Sequence, residues 1–131
     1  MSFIKFQFNR LESYARFLLA GILLFSSINY FFQLLSTPEM AIPGFLFFQS
    51  IIKTNYLMEL IKGIEFVAAI LFLINRYVFQ ATLIVFPIVF NILLFHLFLD
   101  FPGLSMAIVL FVLLIIIMIS KKQRYLDLFK E

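Results

Sequence analysis

The sequence predicts an all-α integral membrane protein, an up-and-down four-helix bundle with a short interfacial helix between helices one and two. The first observation is composition: 64% of the 131 residues are hydrophobic and only 13% are charged. Ordinary soluble domains are about half apolar and about a quarter charged. The second observation is four long apolar stretches, and the third is a basic pattern in the segments between them. The excess apolar surface is expected to face lipid.

The four apolar stretches cover residues 17–35, 56–75, 77–99 and 101–120. A hydrocarbon core about 30 Å thick needs roughly 20 helical residues, and a helix satisfies its own backbone hydrogen bonds inside it. We therefore expect each stretch to cross the membrane once. Nothing in the sequence divides the chain, so residues 1–131 are predicted to form a single transmembrane domain.

The connections between these stretches predict how the helices are arranged. Pro38, Pro43 and Gly44 interrupt the first connection, and residues 45–52 that follow are apolar but too short to span. An interfacial helix is predicted there. The other two connections are tight turns, so consecutive helices are expected to run antiparallel.

Basic residues in short loops are typical of the cytoplasmic side of a membrane protein. In a four-helix topology Lys53 falls on one side and Lys62 lies within a helix, whereas the other basic residues share the opposite side. These are Lys5, Arg10, Arg16, Arg76, Lys121, Lys122, Arg124 and Lys130. Both termini are therefore predicted to be cytoplasmic, and Arg16 is expected to anchor the first helix at the interface.

Several function classes are excluded by residues that the sequence lacks. Without cysteine there are no disulfides and no thiolate metal sites. His96 is the single histidine, so no metal site is predicted. No glycine-rich phosphate loop or Gly-x-Ser-x-Gly motif is present. The net charge of +3 resides mainly in short loops, so we expect the lipid bilayer, not a nucleic acid, as the partner.

The second apolar stretch is unusual because it carries Glu59, Lys62 and Glu65, spaced by three residues on one broad face of a helix. Each charge at the centre of a spanning helix costs up to about 2.5 to 3.5 kcal/mol on insertion scales. These charges must therefore pair, become neutral, or face other helices and trapped water. Two interpretations stay open: a functional polar site, or a structural ion-pair ladder that holds the helix in the bundle.

The other polar residues sort into layers when each helix centre is placed at the membrane midplane. Glu65 then lies near the midplane, Lys62, Asn91 and Asn29 lie about 5 Å toward the outside, and Glu59 and His96 lie about 10 to 12 Å outward. This predicts a polar pocket that opens outward among the first three spanning helices, above a dry inner half. Asn91 and His96 are about 140° apart around their helix, so they are expected to serve different neighbours.

The chain also resembles the DoxX family of bacterial inner-membrane proteins over residues 16–128. The most specific matching segment is Asn91-Ile92-Leu93-Leu94-Phe95-His96-Leu97-Phe98-Leu99-Asp100, and further matches are Tyr56-Leu57, Leu60-Ile61-Lys62, Glu65, Asn75-Arg76-Tyr77-Val78 and Pro87-Ile88-Val89. The chain departs from the family pattern at Ser26, Ser27 and Tyr30, and at Ala68 and Ala69.

The resemblance implies a bacterial inner-membrane location and a link to quinone-coupled sulfur oxidation or to oxidative-stress complexes. It also implies Lys62, Glu65, Asn91 and His96 as site residues, to which the layer analysis adds Glu59 and Asn29. The favoured hypothesis is a redox-associated accessory subunit, not an enzyme by itself, whose pocket binds a quinone or small organic molecule. The alternatives are a small transporter or permeability protein, and a structural anchor for a peripheral or membrane redox enzyme. Homo-oligomerisation is compatible with each of them.

Overall fold

The computed structural model describes residues 2–130. Over this range the chain forms six α-helices and one 3-10 turn, and it contains no β-strand, which confirms the predicted all-α class. The helices are α1 (Ser2–Phe32), α2 (Ile42–Lys53), α3 (Leu57–Ile74), α4 (Val78–Phe98), α5 (Leu104–Ser120) and α6 (Lys122–Leu128), with the 3-10 turn at Phe101–Gly103.

Within the described part of the chain, three segments are long and apolar enough to cross a membrane. They are α1, α4 and the segment Phe101–Ser120, which joins the 3-10 turn to α5. Large apolar side chains on their outer surfaces, such as Phe25, Ile84 and Val112, are exposed. Because exposed apolar surface of this extent is unfavourable in water, these helices indicate contact with a lipid bilayer.

The long helices α1, α3, α4 and α5 lie side by side around one core. Helix α1 contacts α3 and α5, and α4 contacts the same two helices. Fully buried alanines at the contacts allow the backbones to approach closely. Larger side chains fill the remaining space, and the core includes Leu19, Ala20, Leu23, Ala68, Ala69, Phe72, Ala81, Val85, Leu114 and Ile117.

The packed helices have two chemically different ends. We call the end formed by residues 33–56 and 99–103 the loop end; it contains α2 and the 3-10 turn. We call the opposite end, formed by residues 75–77 and 121–130, the basic end, because it contains Arg76, Lys121, Lys122, Arg124 and Lys130.

The tight turn at the basic end is made by two residues in the left-handed conformation, Asn75 and Tyr77, each with φ of 54°. The N–H of Asn75 donates to Phe72 O and the N–H of Arg76 donates to Leu71 O, at 3.4 and 3.2 Å. This is the Schellman pattern, which satisfies the last carbonyls of a helix. It requires one residue in the left-handed conformation, which asparagine adopts more readily than most other residues do. The turn therefore ends α3 and starts α4 within three residues.

Helix α1 begins well before the apolar stretch that predicted it, and this extension includes Arg16. The Arg16 side chain is only 4% exposed and donates from Nη1 to Phe72 O at 2.6 Å. Its Nε lies 3.2 Å from Glu12 Oε1, one helical turn earlier. Arg16 thus caps the end of α3 from within the helix packing, whereas the sequence had suggested an interface anchor.

The short helix α6 was not anticipated from hydropathy because it is polar. It folds back so that Tyr125 packs edge-on against Phe79 at the start of α4, with ring centroids 4.8 Å apart. The Tyr125 hydroxyl also forms a hydrogen bond with Thr82 Oγ1. Burial raises the pKa of the Tyr125 phenol, an effect that the Thr82 bond partly offsets.

Candidate functional site

The centre of the candidate site is an ion pair between Lys62 and Glu65 on α3. Lys62 Nζ lies 3.1 Å from Glu65 Oε2 and donates to Ser26 Oγ of α1 at 2.7 Å. Glu65 is 1% exposed, and the Lys62 side chain is 16% exposed. The three-residue spacing places the pair on one face of α3, and Ser26 brings the ammonium into contact with α1.

A second polar contact joins the same two helices nearer the loop end. The Tyr30 hydroxyl donates to Glu59 Oε1 at 3.0 Å. Glu59 lies in the first turn of α3, where the helix dipole favours a negative charge. Both side chains are more accessible than Glu65, so this contact lies where the polar face meets the surroundings.

These two contacts lie about one helical turn apart and together form a polar face between α1 and α3. We call it the polar seam, and its members are Ser26, Tyr30, Glu59, Lys62 and Glu65. It runs from the loop end to the middle of α3 and stops at Glu65. Beyond Glu65 the next inward residues are apolar and fully buried: Ala68, Ala69 and Phe72 on α3, with Leu19 on α1.

Two asparagines predicted to belong to the site lie outside the polar seam. Asn29 Oδ1 accepts the backbone N–H of Leu35 at 2.7 Å, and Asn29 O accepts the N–H of Gln33, so Asn29 ends α1 and shapes the following loop. Asn91 is exposed on α4, and no hydrogen bond joins its side chain to residues 2–130. Neither asparagine contacts Lys62 or Glu65 by a hydrogen bond within that range.

His96 belongs to a separate cluster at the loop end. Its Nδ1 lies 3.1 Å from Asp100 Oδ2 and 3.1 Å from Asp100 O. Asp100 Oδ1 accepts the backbone N–H of Ala41 at 2.9 Å, which attaches the segment before α2 to the end of α4. A Cβ atom at Gly103 would overlap the His96 ring, and one at Gly44 would lie 3.0 Å from Asp100 Cβ. This close packing indicates that the cluster fixes the loop end.

Replacing Asp100 with alanine is expected to lower the free energy of unfolding by about 1 to 2 kcal/mol, because the partly buried Ala41 N–H loses its acceptor and His96 loses one of its two oxygen partners. Thermal unfolding in detergent micelles measures this. Asp127→Ala is the matched control, since Asp127 pairs with Lys130 on the surface, and a change within about 0.5 kcal/mol is expected there. Equal effects of the two variants would contradict a structural role for Asp100.

Neither of two clefts in the structure is centred on the polar seam. One, of about 370 Å³, is an open groove lined by Glu59, Leu60, Gly63, Ile64, Val67 and Ile84 between α3 and α4. Of the six predicted site residues, only Glu59 lines it. The other, of about 480 Å³, lies at the basic end. At the place where an outward pocket was predicted, Lys62 is in direct contact with Ser26 and Glu65. The open groove lies next to this contact, between α3 and α4.

The polar seam has the donors and acceptors to hold a polar organic group. No group of three or more histidine, cysteine, aspartate or glutamate side chains suited to a metal occurs within residues 2–130. An ammonium has three N–H donors, and the contacts of Lys62 to Ser26 and Glu65 use two of them. The third could donate to a carbonyl oxygen, with the Glu65 carboxylate beside it as a proton acceptor.

Three residues that matter to these clusters were not proposed as site residues from the sequence. Ser26 and Tyr30 are departures from the DoxX pattern, and Asp100 is the last residue of the DoxX-like segment that begins at Asn91. The spacing of Ser26 and Tyr30, four residues apart on α1, was the available signal, because it puts both on one helix face. The four-residue spacing of His96 and Asp100 was a similar signal.

Comparison of the chain with protein-family models, with curated proteins and with solved structures finds no match. The resemblance to the DoxX family consequently rests on the sequence segments quoted above.

Proposed function

We propose that this chain is a DoxX-like membrane protein that acts as a redox-associated accessory subunit, with the polar seam as its binding site for a quinone or a similar small organic molecule. The observation that carries the proposal is the Lys62–Glu65 ion pair between α1 and α3, in which Glu65 is buried, Lys62 is largely covered, and the ammonium is joined to Ser26. Ionisable groups within a membrane are costly and are usually associated with function.

The proposal includes a topology in which α3 is the fourth spanning helix, beside α1, α4 and α5. Its 18 residues are about 27 Å long, close to the thickness of a hydrocarbon core, and its charges face α1. The short apolar helix α2 would then lie at the membrane interface. The basic end would face the cytoplasm of a bacterial cell, with both termini on that side and the loop end outside.

The one-sided extent of the polar seam favours a binding site over a path across the membrane. Polar groups connect the loop end to Glu65, and the next residues inward are the buried apolar side chains Ala68, Ala69 and Phe72. A transporter needs a route past this apolar block. A quinone site needs only hydrogen-bonding groups at one depth and proton exchange with one side, which Glu59 and Tyr30 supply near the loop end.

The ligand assignment follows from the donors and acceptors of the seam. A quinone carbonyl requires a donor, for which Lys62 has an N–H left, and reduction of the quinone to the quinol takes up protons, which the Glu65 and Glu59 carboxylates can accept from the loop end and pass on. The groove of about 370 Å³ begins at Glu59 and is otherwise apolar, which suits a hydrocarbon tail. Electrons would come from a partner redox protein, consistent with an accessory role.

Decylubiquinone is a suitable probe of this site. We expect it to bind the purified protein in micelles, and we expect Lys62→Gln to weaken binding about tenfold, the equivalent of one charge-assisted hydrogen bond. Isothermal titration calorimetry measures both affinities. Lys53→Gln, which removes an exposed lysine at the loop end, is the matched control and should bind like the unaltered protein.

Two results would count against the quinone site. One is the absence of binding by the unaltered protein under conditions in which an established quinone-binding membrane protein binds the probe. The other is equal affinity in Lys62→Gln and Lys53→Gln, which would place bound quinone away from the polar seam.

A structural anchor is the second candidate, and one observation favours it. Within residues 2–130, every buried side-chain nitrogen or oxygen of a residue that is not exposed has a hydrogen-bond partner. The seam can therefore be a self-sufficient lock between α1 and α3. The test is the variant Lys62→Met/Glu65→Leu. The anchor function is supported if this variant stays folded, still copurifies with a partner enzyme, and neither it nor the unaltered protein binds quinone.

A further inference from the structure

The basic end contains a cleft of about 480 Å³ that the polar seam does not use. It is lined by Asn75, Arg76, Tyr77, Val78, Phe79, Gln80, Lys121 and Arg124. Three of these residues are cations, and they come from two separate parts of the chain. Arg76 belongs to the turn between α3 and α4, whereas Lys121 and Arg124 belong to the junction of α5 and α6. Folding therefore brings together cations that are about 45 residues apart in sequence.

No carboxylate of residues 2–130 lies within salt-bridge distance of these three cations. The ion pairs over that range involve Arg16, Lys62, His96 and Lys130 instead. The guanidinium of Arg124 lies 5.8 Å from the centre of the Phe79 ring, and that of Arg76 lies 6.0 Å from the Tyr77 ring. Aromatic contacts orient a guanidinium while leaving its N–H donors available to an anion.

The backbone adds to this positive potential. Helix α4 starts at Val78 without a side-chain cap, and its first bond to the preceding residue runs from Ala81 N to Tyr77 O. The N–H groups of Val78, Phe79 and Gln80 precede the intrahelical ladder, and all three residues line the cleft. They supplement the cations, which carry the argument.

The position of the cleft indicates which anion it meets. It lies at the ends of α3, α4 and α5, where Leu73 and Ile74 in the last turn of α3 expose apolar side chains. In a spanning protein this level is the headgroup region, where phosphates of the lipid are concentrated next to acyl chains. The excess of basic residues on the cytoplasmic side of membrane proteins does not require that they be grouped in a cleft. Exposed lysines such as Lys5 and Lys122 contribute to that excess equally well.

We propose that the cleft formed by Arg76, Lys121 and Arg124 binds the phosphate headgroup of an anionic phospholipid. The phosphate accepts hydrogen bonds from the two guanidinium groups and the Lys121 ammonium, and the acyl chains lie against the apolar end of α3. The site depends on insertion of the helices in a membrane. It is independent of any quinone binding at the polar seam.

Native mass spectrometry of protein released from vesicles of equal phosphatidylglycerol and phosphatidylcholine tests the site. We expect the unaltered protein to retain phosphatidylglycerol in preference to phosphatidylcholine. In Arg76→Gln/Arg124→Gln the ratio of bound phosphatidylglycerol to bound phosphatidylcholine should fall at least about tenfold, because two charge-assisted contacts are removed. The control Lys5→Gln/Lys122→Gln removes the same charge from exposed positions outside the cleft and should retain the lipid. Arg76→Gln alone, at an exposed turn, shows the same direction of change if the double variant fails to fold.

Further arms of this experiment identify the source of the phosphate. Addition of millimolar inorganic phosphate should leave the bound phosphatidylglycerol in place, because the lipid also has its acyl contacts. Displacement by phosphate alone would assign a soluble ligand and overturn the lipid proposal. Equal loss of phosphatidylglycerol in the two double variants would also overturn it, since only net charge would then matter.

Discussion

Lys62→Met is expected to destabilise the protein by about 3 to 5 kcal/mol, the usual cost of removing one member of a buried ion pair. Methionine has nearly the length of lysine, so packing changes little. Glu65 would keep its place at 1% exposure but lose the ammonium 3.1 Å away. Ser26 would lose the donor that joins α1 to α3. Steric trapping in lipid bicelles measures the free energy of unfolding.

Two further variants separate loss of the charge pair from loss of packing. Lys62→Met/Glu65→Leu removes both charges, and we expect it to recover most of the stability, because an apolar pair of similar volume often replaces an ion pair without loss. Lys53→Met makes the same substitution at an exposed lysine of α2 and is expected to change stability by less than about 0.5 kcal/mol.

The comparison also bears on function. If the doubly apolar variant is as stable as the unaltered protein, stability does not explain why the charges are present, and the binding role gains support. If Lys62→Met alone costs less than 1 kcal/mol, the Lys62–Glu65 contact is not a buried pair in the membrane, and the premise of the polar seam fails.

The helices were predictable because apolar stretches of spanning length have few other stable structures in lipid. Helices α3 and α4 lie within the stretches predicted for them, at residues 56–75 and 77–99. The start of α1 and the existence of α6 were not predictable from hydropathy. They depend on side-chain contacts such as Arg16 with Phe72 O and Tyr125 with Phe79, which join elements distant in sequence.

The candidate site was predictable where its members share a helix. The three-residue spacing of Glu59, Lys62 and Glu65 indicates one face without reference to any other element. Asn91 and His96 lie on another helix, and matching the depth of Asn91 to Lys62 and that of His96 to Glu59 gave no information about the rotation of α4. The structure places Asn91 on the exposed side and His96 beside Asp100, so equal depth did not produce contact.

Arg16→Leu is the second substitution with a large expected effect, a destabilisation of about 3 kcal/mol. The guanidinium makes a charge-assisted bond of 2.6 Å to Phe72 O and pairs with Glu12 at 3.2 Å, and such bonds contribute about 1.5 to 3 kcal/mol each when buried. Leucine fills part of the space but leaves Glu12 without its cation. Arg10→Leu, the same change at an exposed position of α1, is expected to remain within about 0.5 kcal/mol.

Hydrogen exchange locates the effect of Arg16→Leu. Because Arg16 binds the carbonyl that also accepts from Asn75, the variant should increase exchange at the N–H groups of Asn75 and Arg76 and leave the loop end unchanged. Since Arg76 is one of the cations of the basic-end cleft, loosening this turn should also reduce retention of phosphatidylglycerol. Faster exchange throughout α1 with no change at Asn75 would instead mean that Arg16 stabilises its own helix through Glu12, and that α3 ends independently of it.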